Sequence, residues 1–472
     1  AQVAIVERRR QVGVRTCLCA SQTSWPMGAA GQKFTRGQKY VEAKVVRLGR
    51  GLTTRIDIQD VDIYDAAANL IADYLTTETC VCETVVLRNN GFTTAAFRVI
   101  APCFARNNTV RSFSYIGNRI GECSRGKGEA DDTVHPASAL LDVLSSDGAQ
   151  LMAKSLRLNR ALTHLHLEDN DLGDLGCVVI AEALDANAVL RELCLVKNNI
   201  GDQGCFRLAR ALANNGTLAS LDLNENRIGD EGFLFLLDAI SYKNKITELN
   251  LRANLISAMG SEKVAEALEV NTSLLELNLR RNNLQDAGCA LLAKGLSRNA
   301  TLRRLHLSSN RIGDEGSQRL AEALESNTVL DELYLEINAI EDQGCSLLAD
   351  VLETNSTLRR VDLRMNNFGG EGYSRLENAV SKNGTLWSLE LSDSLLASKR
   401  PVEMIKAKLS MNLAASGNVN NPGRGGSQVA IGAADVAIEP ATLADKRHIA
   451  APAAATAQSD AMDASEAASQ IV

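Results

Sequence analysis

One spacing constrains this chain more than any other feature. From Leu162 onward an aliphatic residue recurs every 28 positions, at Leu190, Leu218, Ile246, Leu274, Leu302, Leu330, Leu358 and Leu386. Each opens the pattern LxxLxLxxNxI. The asparagine eight positions on recurs at Asn170, Asn198, Asn226, Asn254, Asn282, Asn310, Asn338 and Asn366, and gives way to Ser394 in the ninth unit. A period of this length marks a solenoid, in which each short unit buries its apolar face only by stacking on its neighbours.

Each part of the unit has a physical role. The LxL alternation predicts a short strand with its leucines turned inward. The asparagine can bond backbone groups where the chain leaves the strand. In segments such as Gly229-Asp230-Glu231-Gly232 the aspartate is expected to cap the helix that starts there, and acidic residues suit a first helical turn. Leu320-Ala321-Glu322-Ala323-Leu324 puts apolar residues on one helical face. Asn215 to Leu218 and Asn299 to Leu302, both Asn-x-Thr-Leu, close one helix and open the next strand. Strands pack about 4.8 Å apart and helices about 8–10 Å apart. The stack must therefore bend, as an α/β solenoid with parallel strands concave and helices convex.

Worn copies extend the pattern upstream. Val110-x-x-Phe113-x-Tyr115-x-x-Asn118-x-Ile120 lies one period after Cys82-x-x-Val85-x-Leu87-x-x-Asn90-x-Phe92. A weaker unit holds Ile56, Ile58, Val61 and Ile63, with a helix near Ala66–Leu75. Residues 121–147 break the phase. The 52 residues from 110 to 162 read as a shortened repeat with an irregular loop, giving twelve strands, or thirteen if that repeat has its own. The expected divisions are degenerate repeats at 51–147, regular repeats at 148–398, and a capping helix at 399–413. Pro401 would open that helix, and Val402, Ile405, Leu409 and Leu413 form its apolar stripe. Residues 1–50 hold ten Lys or Arg against Glu7 and Glu42 and read as a disordered basic arm. An Arg-rich, acid-poor start also suits an organelle transit peptide, and Met27 is a plausible start. Residues 414–472 are rich in Ala, Gly and Ser and read as a disordered tail.

Composition narrows the function. A net charge of −7 excludes general nucleic-acid binding. No apolar run reaches the roughly 18 residues of a membrane span. Of 11 cysteines, Cys177, Cys205, Cys289 and Cys345 each follow a glycine at one repeat position, a packing role. An odd count fits a reducing compartment, and a cytoplasmic location is expected. Gly121 to Gly128 has the outline of a phosphate-binding loop, but Gly128 stands where Ser or Thr must hold magnesium. His164, His166 and Cys194 could meet on adjacent strands as zinc ligands, yet two histidines alternating on an exposed strand are more often ordinary polar residues. Cys17-x-Cys19 and Cys80-x-Cys82 lack zinc spacing. Asn-x-Ser/Thr sequons occur at Asn107, Asn215, Asn271, Asn299, Asn355 and Asn383, mostly at one loop position of the repeat, which favours a structural reading. No nucleophile–base pair stands out. A non-enzymatic monomer with no cofactor, metal or small-molecule substrate is expected.

Positions two, four and six after each opening leucine face the concave surface. The framework repeats while these vary, as in a scaffold presenting one particular surface. The expected partner-binding residues are Arg252, Arg280, Arg304, His306, Glu332, Tyr334, Glu336, Arg360 and Arg364, with Trp387 at the rim. Arg and Tyr are favoured interface anchors. Their expected partner is a protein.

The unit LxxLxLxxNxIGDxGxxxLAxALxxNxT resembles the ribonuclease-inhibitor class of leucine-rich repeats, strongly over 162–394 and more weakly from about 53. The resemblance implies a horseshoe and a protein-recognition role. Relatives of this kind include ribonuclease inhibitor, the sensor domains of NOD-like receptors, Ran GTPase-activating proteins and subunits of ciliary complexes. NOD-like receptors carry a nucleotide-binding domain before the repeats, and the upstream stretch here is too short for one. Ran activators usually end in a dense acidic run, whereas Asp435, Glu439, Asp445, Asp460, Asp463 and Glu466 are well spread. Two alternatives to a scaffold follow: a Ran-type GTPase activator, and a structural subunit of a ciliary or cytoskeletal complex.

Overall fold

A computed structural model describes residues 36–49, 51–61, 63–118, 147–241, 245–257, 262–392 and 399–415. Among them are twelve strands in one open sheet, ordered β1 to β12 as in the sequence, every neighbouring pair parallel. The first three are five residues long: β1 Arg55–Gln59, β2 Thr84–Arg88 and β3 Ser112–Ile116. The other nine have three residues each. They are β4 His164–His166, β5 Glu192–Cys194, β6 Ser220–Asp222, β7 Glu248–Asn250, β8 Glu276–Asn278, β9 Arg304–His306, β10 Glu332–Tyr334, β11 Arg360–Asp362 and β12 Ser388–Glu390. Helices lie between them: α1 Arg36–Gly49, α2 Ala68–Leu75, α3 Thr94–Ile100, α4 Asp147–Leu158, α5 Gly173–Ala186, α6 Asp202–Asn214 and α7 Asp230–Ser241. The series continues with α8 Lys263–Val270, α9 Gln285–Leu296, α10 Asp314–Ser326, α11 Asp342–Thr354, α12 Gly370–Lys382 and α13 Lys399–Ala415. This is the leucine-rich-repeat α/β solenoid. The central residue of each short strand, leucine in all but β11 where it is Val361, is buried, and the flanking residues look outward except Asp362, which is buried too.

β3 bonds directly to β4, with Ser112 opposite His164. The two are 52 residues apart, so no strand stands between them in the sheet and this repeat runs 24 residues beyond the period. The phosphate-loop-like stretch 121–128 lies outside the described residues.

Two asparagine ladders hold the stack together. Asn310 Nδ2 donates to the carbonyls of Leu279 (2.8 Å) and Leu307 (3.0 Å), and its Oδ1 accepts from Leu284 N at 3.3 Å. Asn338 does the same for Leu307, Leu335 and Ile312. A second ladder sits at the helix ends. Asn299 Nδ2 donates to Leu268 O at 2.7 Å, and its Oδ1 accepts from Thr301 N and Leu302 N. The sequon asparagines are this ladder, Asn107 included, with its Nδ2 on Leu75 O at 2.8 Å. The nitrogen a glycan would need is already a donor in the fold.

The aspartate of the Gly-Asp-x-Gly segment does not cap its own helix. Asp202 Oδ1 accepts from Gly229 N (2.7 Å) and Gly232 N (3.0 Å), at the start of the following helix. Asp174, Asp286 and Asp342 do likewise one repeat on. Consecutive helix starts lie side by side, so a side chain at the first helical position reaches its neighbour's free amides better than its own. The second recipient must be glycine, since a Cβ on Gly232 would stand 2.5 Å from Asp202 Oδ1, whereas Ser257 and Glu341 serve as the first in two repeats.

The ends need two further statements. The basic stretch expected to be a disordered arm contains α1, whose Val41 and Leu48 are fully buried in the common core while Lys39 and Arg47 stay exposed. Its charge count concealed an apolar stripe at helical spacing. Residues 1–35 and 416–472 lie outside the described residues. At the other end α13 covers the last repeat with Ile405 and Leu409, both buried.

Candidate functional site

The period places the ten expected side chains on or just beyond strands β7 to β12, and most of them interlock. Strand register puts His306 beside Tyr334, and their rings stack at 4.2 Å with 4° between planes. The Tyr334 hydroxyl bonds Glu332 and accepts from Arg360 Nη1 at 3.4 Å. The same Arg360 guanidinium lies 5.9 Å from the centre of the Trp387 ring. One continuous ledge of π faces and a guanidinium thus runs from β9 to β12.

Ion pairs flank the ledge on both sides. Arg304 Nη2 meets Glu276 Oε2 at 2.5 Å, and His306 Nε2 lies 3.3 Å from the other oxygen of that carboxylate. Arg280 reaches past β9 to Glu336 at 2.6 Å. Ser308, between them in the row, is small and buried, which leaves room for the long side chain to cross. Arg364 grips both oxygens of Asp362 through Nε and also reaches Glu336 at 2.8 Å. Arg252 stands apart. It turns to Glu225 at 3.6 Å, away from Arg280, so the two arginines expected to act as neighbours serve different pairs.

These pairs tune their members. His306 foremost, then Arg304, hold Glu276 down at about 2, against the opposing effect of burial. Burial and the facing Asp362 carboxylate push Glu336 up. Burial, then the bond to Glu332, pushes the Tyr334 hydroxyl up to about 12. The Asp362 bond raises Arg364 further above its already high value. Charge on this face is therefore largely consumed internally. What it offers a visitor is its ring faces; Arg280 Nε, Arg360 Nε and Trp387 Nε1 have no hydrogen-bond partner but are themselves buried.

Sequence reasoning put Glu276, Glu225 and Asp362 aside. Glu276 and Asp362 face the same surface, and Glu276 anchors the ledge. A search for opposite charges one period apart would have found it, since Glu276 and Arg304 are 28 residues apart and opposite in register.

The other sequence features are structural. His164 Nδ1 is 2.7 Å from Thr163 Oγ1 and its Nε2 is 3.1 Å from Glu192, the outline of a nucleophile–base–acid row. But Thr163 Oγ1 also lies 3.0 Å from Arg111 O, a backbone acceptor that competes with the imidazole for its single proton. Burial pushes the thiols of Cys177, Cys194 and Cys345 up to about 12, leaving them protonated and unreactive. Burial also lowers His166. Among the described residues no three His, Cys, Asp or Glu side chains have a metal-holding arrangement. No helix among them is long and apolar enough to cross a membrane.

A family model described as "Leucine Rich repeat" matches residues 158–181, 186–209, 214–236, 270–293, 298–321 and 354–376. The chain carries leucine-rich repeats, the class its fold defines. No curated protein sequence matches it. Among solved structures it is similar to leiomodin-1 actin-binding site 2, with 20% identity over 33% of this chain and 91% of that one, TM-score 0.29. A tropomodulin C-terminal domain from Caenorhabditis elegans gives 16% identity over 33% and 95%, TM-score 0.30. An internalin from Listeria monocytogenes gives 15% over 81% and 94%, TM-score 0.39. Likenesses of this size concern the fold and carry no functional argument.

Proposed function

We propose that this protein is a non-enzymatic interaction scaffold that holds a protein partner against the strand face from β8 to β12. The supporting observation is the ledge of His306, Tyr334, Arg360 and Trp387, braced on both sides by ion pairs. Aromatic and arginine side chains already fixed by one another lose little freedom on binding, the property of an interface hot spot. The 28-residue unit with a full helix supports reading the repeats as of the ribonuclease-inhibitor class. Eight free cysteines among the described residues suit a reducing cytoplasm. We read the scaffold as a monomer with no nucleic-acid ligand.

Affinity purification with the wild type and an Arg280→Glu/Arg360→Glu double variant, both checked for folding by circular dichroism, tests this reading. Loss of a co-purifying protein is expected with the variant, and equal retention of every partner rejects the patch. In a parallel arm, added protein is expected to leave GTP hydrolysis by small GTPases unaccelerated, and acceleration would favour a GTPase activator instead.

A further inference from the structure

The residue before each repeat asparagine adopts a left-handed backbone, with φ between 54° and 58° from Asp169 to Met365. Most of these positions carry polar or small residues: Asp169, Lys197, Glu225, Ala253, Arg281 and Ser309. The last two do not. Ile337, at φ 55°, is β-branched, the side-chain type least suited to this conformation. It is also 40% exposed, and Met365 beside it is 51% exposed. Neither backbone preference nor burial in the fold accounts for an isoleucine here, and such a doubly unfavoured residue is a pointer to function.

The neighbouring charges specify the visitor. Ile337 N bonds Arg364 O and Arg281 N bonds Ser308 O, so these positions form one row along the rim of the strand face. Arg280 and Arg364 are engaged with Glu336 and Asp362. Arg281 and Arg311, the latter two residues beyond Ser309 of this row, are both exposed, and among the described residues neither stands within ion-pair distance of a carboxylate. We propose that this rim, formed by Arg281, Arg311, Ile337 and Met365, docks an acidic protein segment carrying a bulky apolar side chain: the apolar group on Ile337 and Met365, its carboxylates on the two arginines. The proposal rests on the reading of the strand face as a protein-binding surface and gives its partner a chemistry.

Selection from a random dodecapeptide phage library on the full chain tests it. Enriched peptides are expected to pair acidic residues with a bulky apolar one. They should lose about tenfold or more in affinity on Ile337→Asn/Met365→Asn, and on Arg281→Glu/Arg311→Glu. Asparagine suits the left-handed backbone, so the first variant should melt no lower than wild type, and weakened binding cannot then be laid to misfolding. No enrichment, enrichment of basic or uncharged peptides, or unchanged affinity for either rim variant overturns the proposal. In the last two cases Tyr334→Ala/Arg360→Ala separates the readings. Affinity lost there leaves the strand-face reading standing without its rim, and affinity kept there removes both.

Discussion

From Phe92 to Tyr115 rings fill the layer between strand and helix, and in the nine repeats from β4 onward leucine predominates. Phe104 and Phe113 lie 4.4 Å apart, Phe97 and Tyr115 4.7 Å, and Phe92 stacks on Tyr115 at 6.1 Å. The helix over this aromatic layer, α3, has seven residues and runs on as a 3-10 turn at Ala101–Ala105 that carries Phe104, whereas α10 and α11 run unbroken for thirteen. Yet the asparagine ladder runs through both regions: Asn90 bonds Ile58 O as Asn310 bonds Leu279 O. The apolar filling is replaceable by anything of the right volume, while the polar stitch between repeats is not.

The largest expected effect breaks the aromatic layer. Phe113→Ala should cost about 3–5 kcal/mol in urea unfolding. Because stacked repeats touch only their neighbours, hydrogen exchange should rise around β1 to β4 and stay unchanged at β9 to β12. Uniform acceleration would mean that the two regions unfold as one. Next, Asn310→Ala leaves the Leu279 and Leu307 carbonyls without that donor, at about 2–3 kcal/mol. Asn90→Ala should cost about the same, and a much smaller loss there would show that the ladder matters only in the regular array.

Glu276 supplies a pH test confined to the second region. Its folded pKa, about 2, lies below the ordinary 4.5. A lowered carboxylate pKa gives stability that is complete above pH 4.5 and drains away as pH falls toward 2. With the side chain 29% exposed, solvent screening reduces the contribution to about 1–2 kcal/mol. Glu276→Gln should lose that amount at pH 7 and flatten the acid limb of a melting-temperature series. An unchanged limb would show that the pair contributes nothing to folding. The smallest effect, about 1 kcal/mol, is expected for Asp342→Ala, which frees the Gly369 and Gly372 amides. Faster exchange at those two amides is the direct check.

Strand order, the inward leucines and the face of each strand were legible because a two-residue alternation inside a fixed period determines them. The aspartate bond was misassigned because sequence shows a residue's distance along the chain, not across the stack, and its partner is 27 residues away. The α1 helix was hidden by its own lysines and arginines. At the site, residue types were readable from their positions, but pairings were not. Nothing local foretells that Arg280 passes a small Ser308 to reach Glu336 while Arg252 turns the other way.

Asn412 on α13 donates to Asn383 O at 3.0 Å, as Asn383 does to Asn355 O, and to Leu386 O at 2.8 Å. The last described unit thus offers α13 the helix-end asparagine carbonyl that earlier units offer the next repeat. A duplication or deletion of one whole 28-residue unit upstream would present α13 with an unaltered docking surface. Array length can thus drift in evolution by whole units, with a terminator that need not change, and a family built on this plan can vary in reach while conserving its last helix.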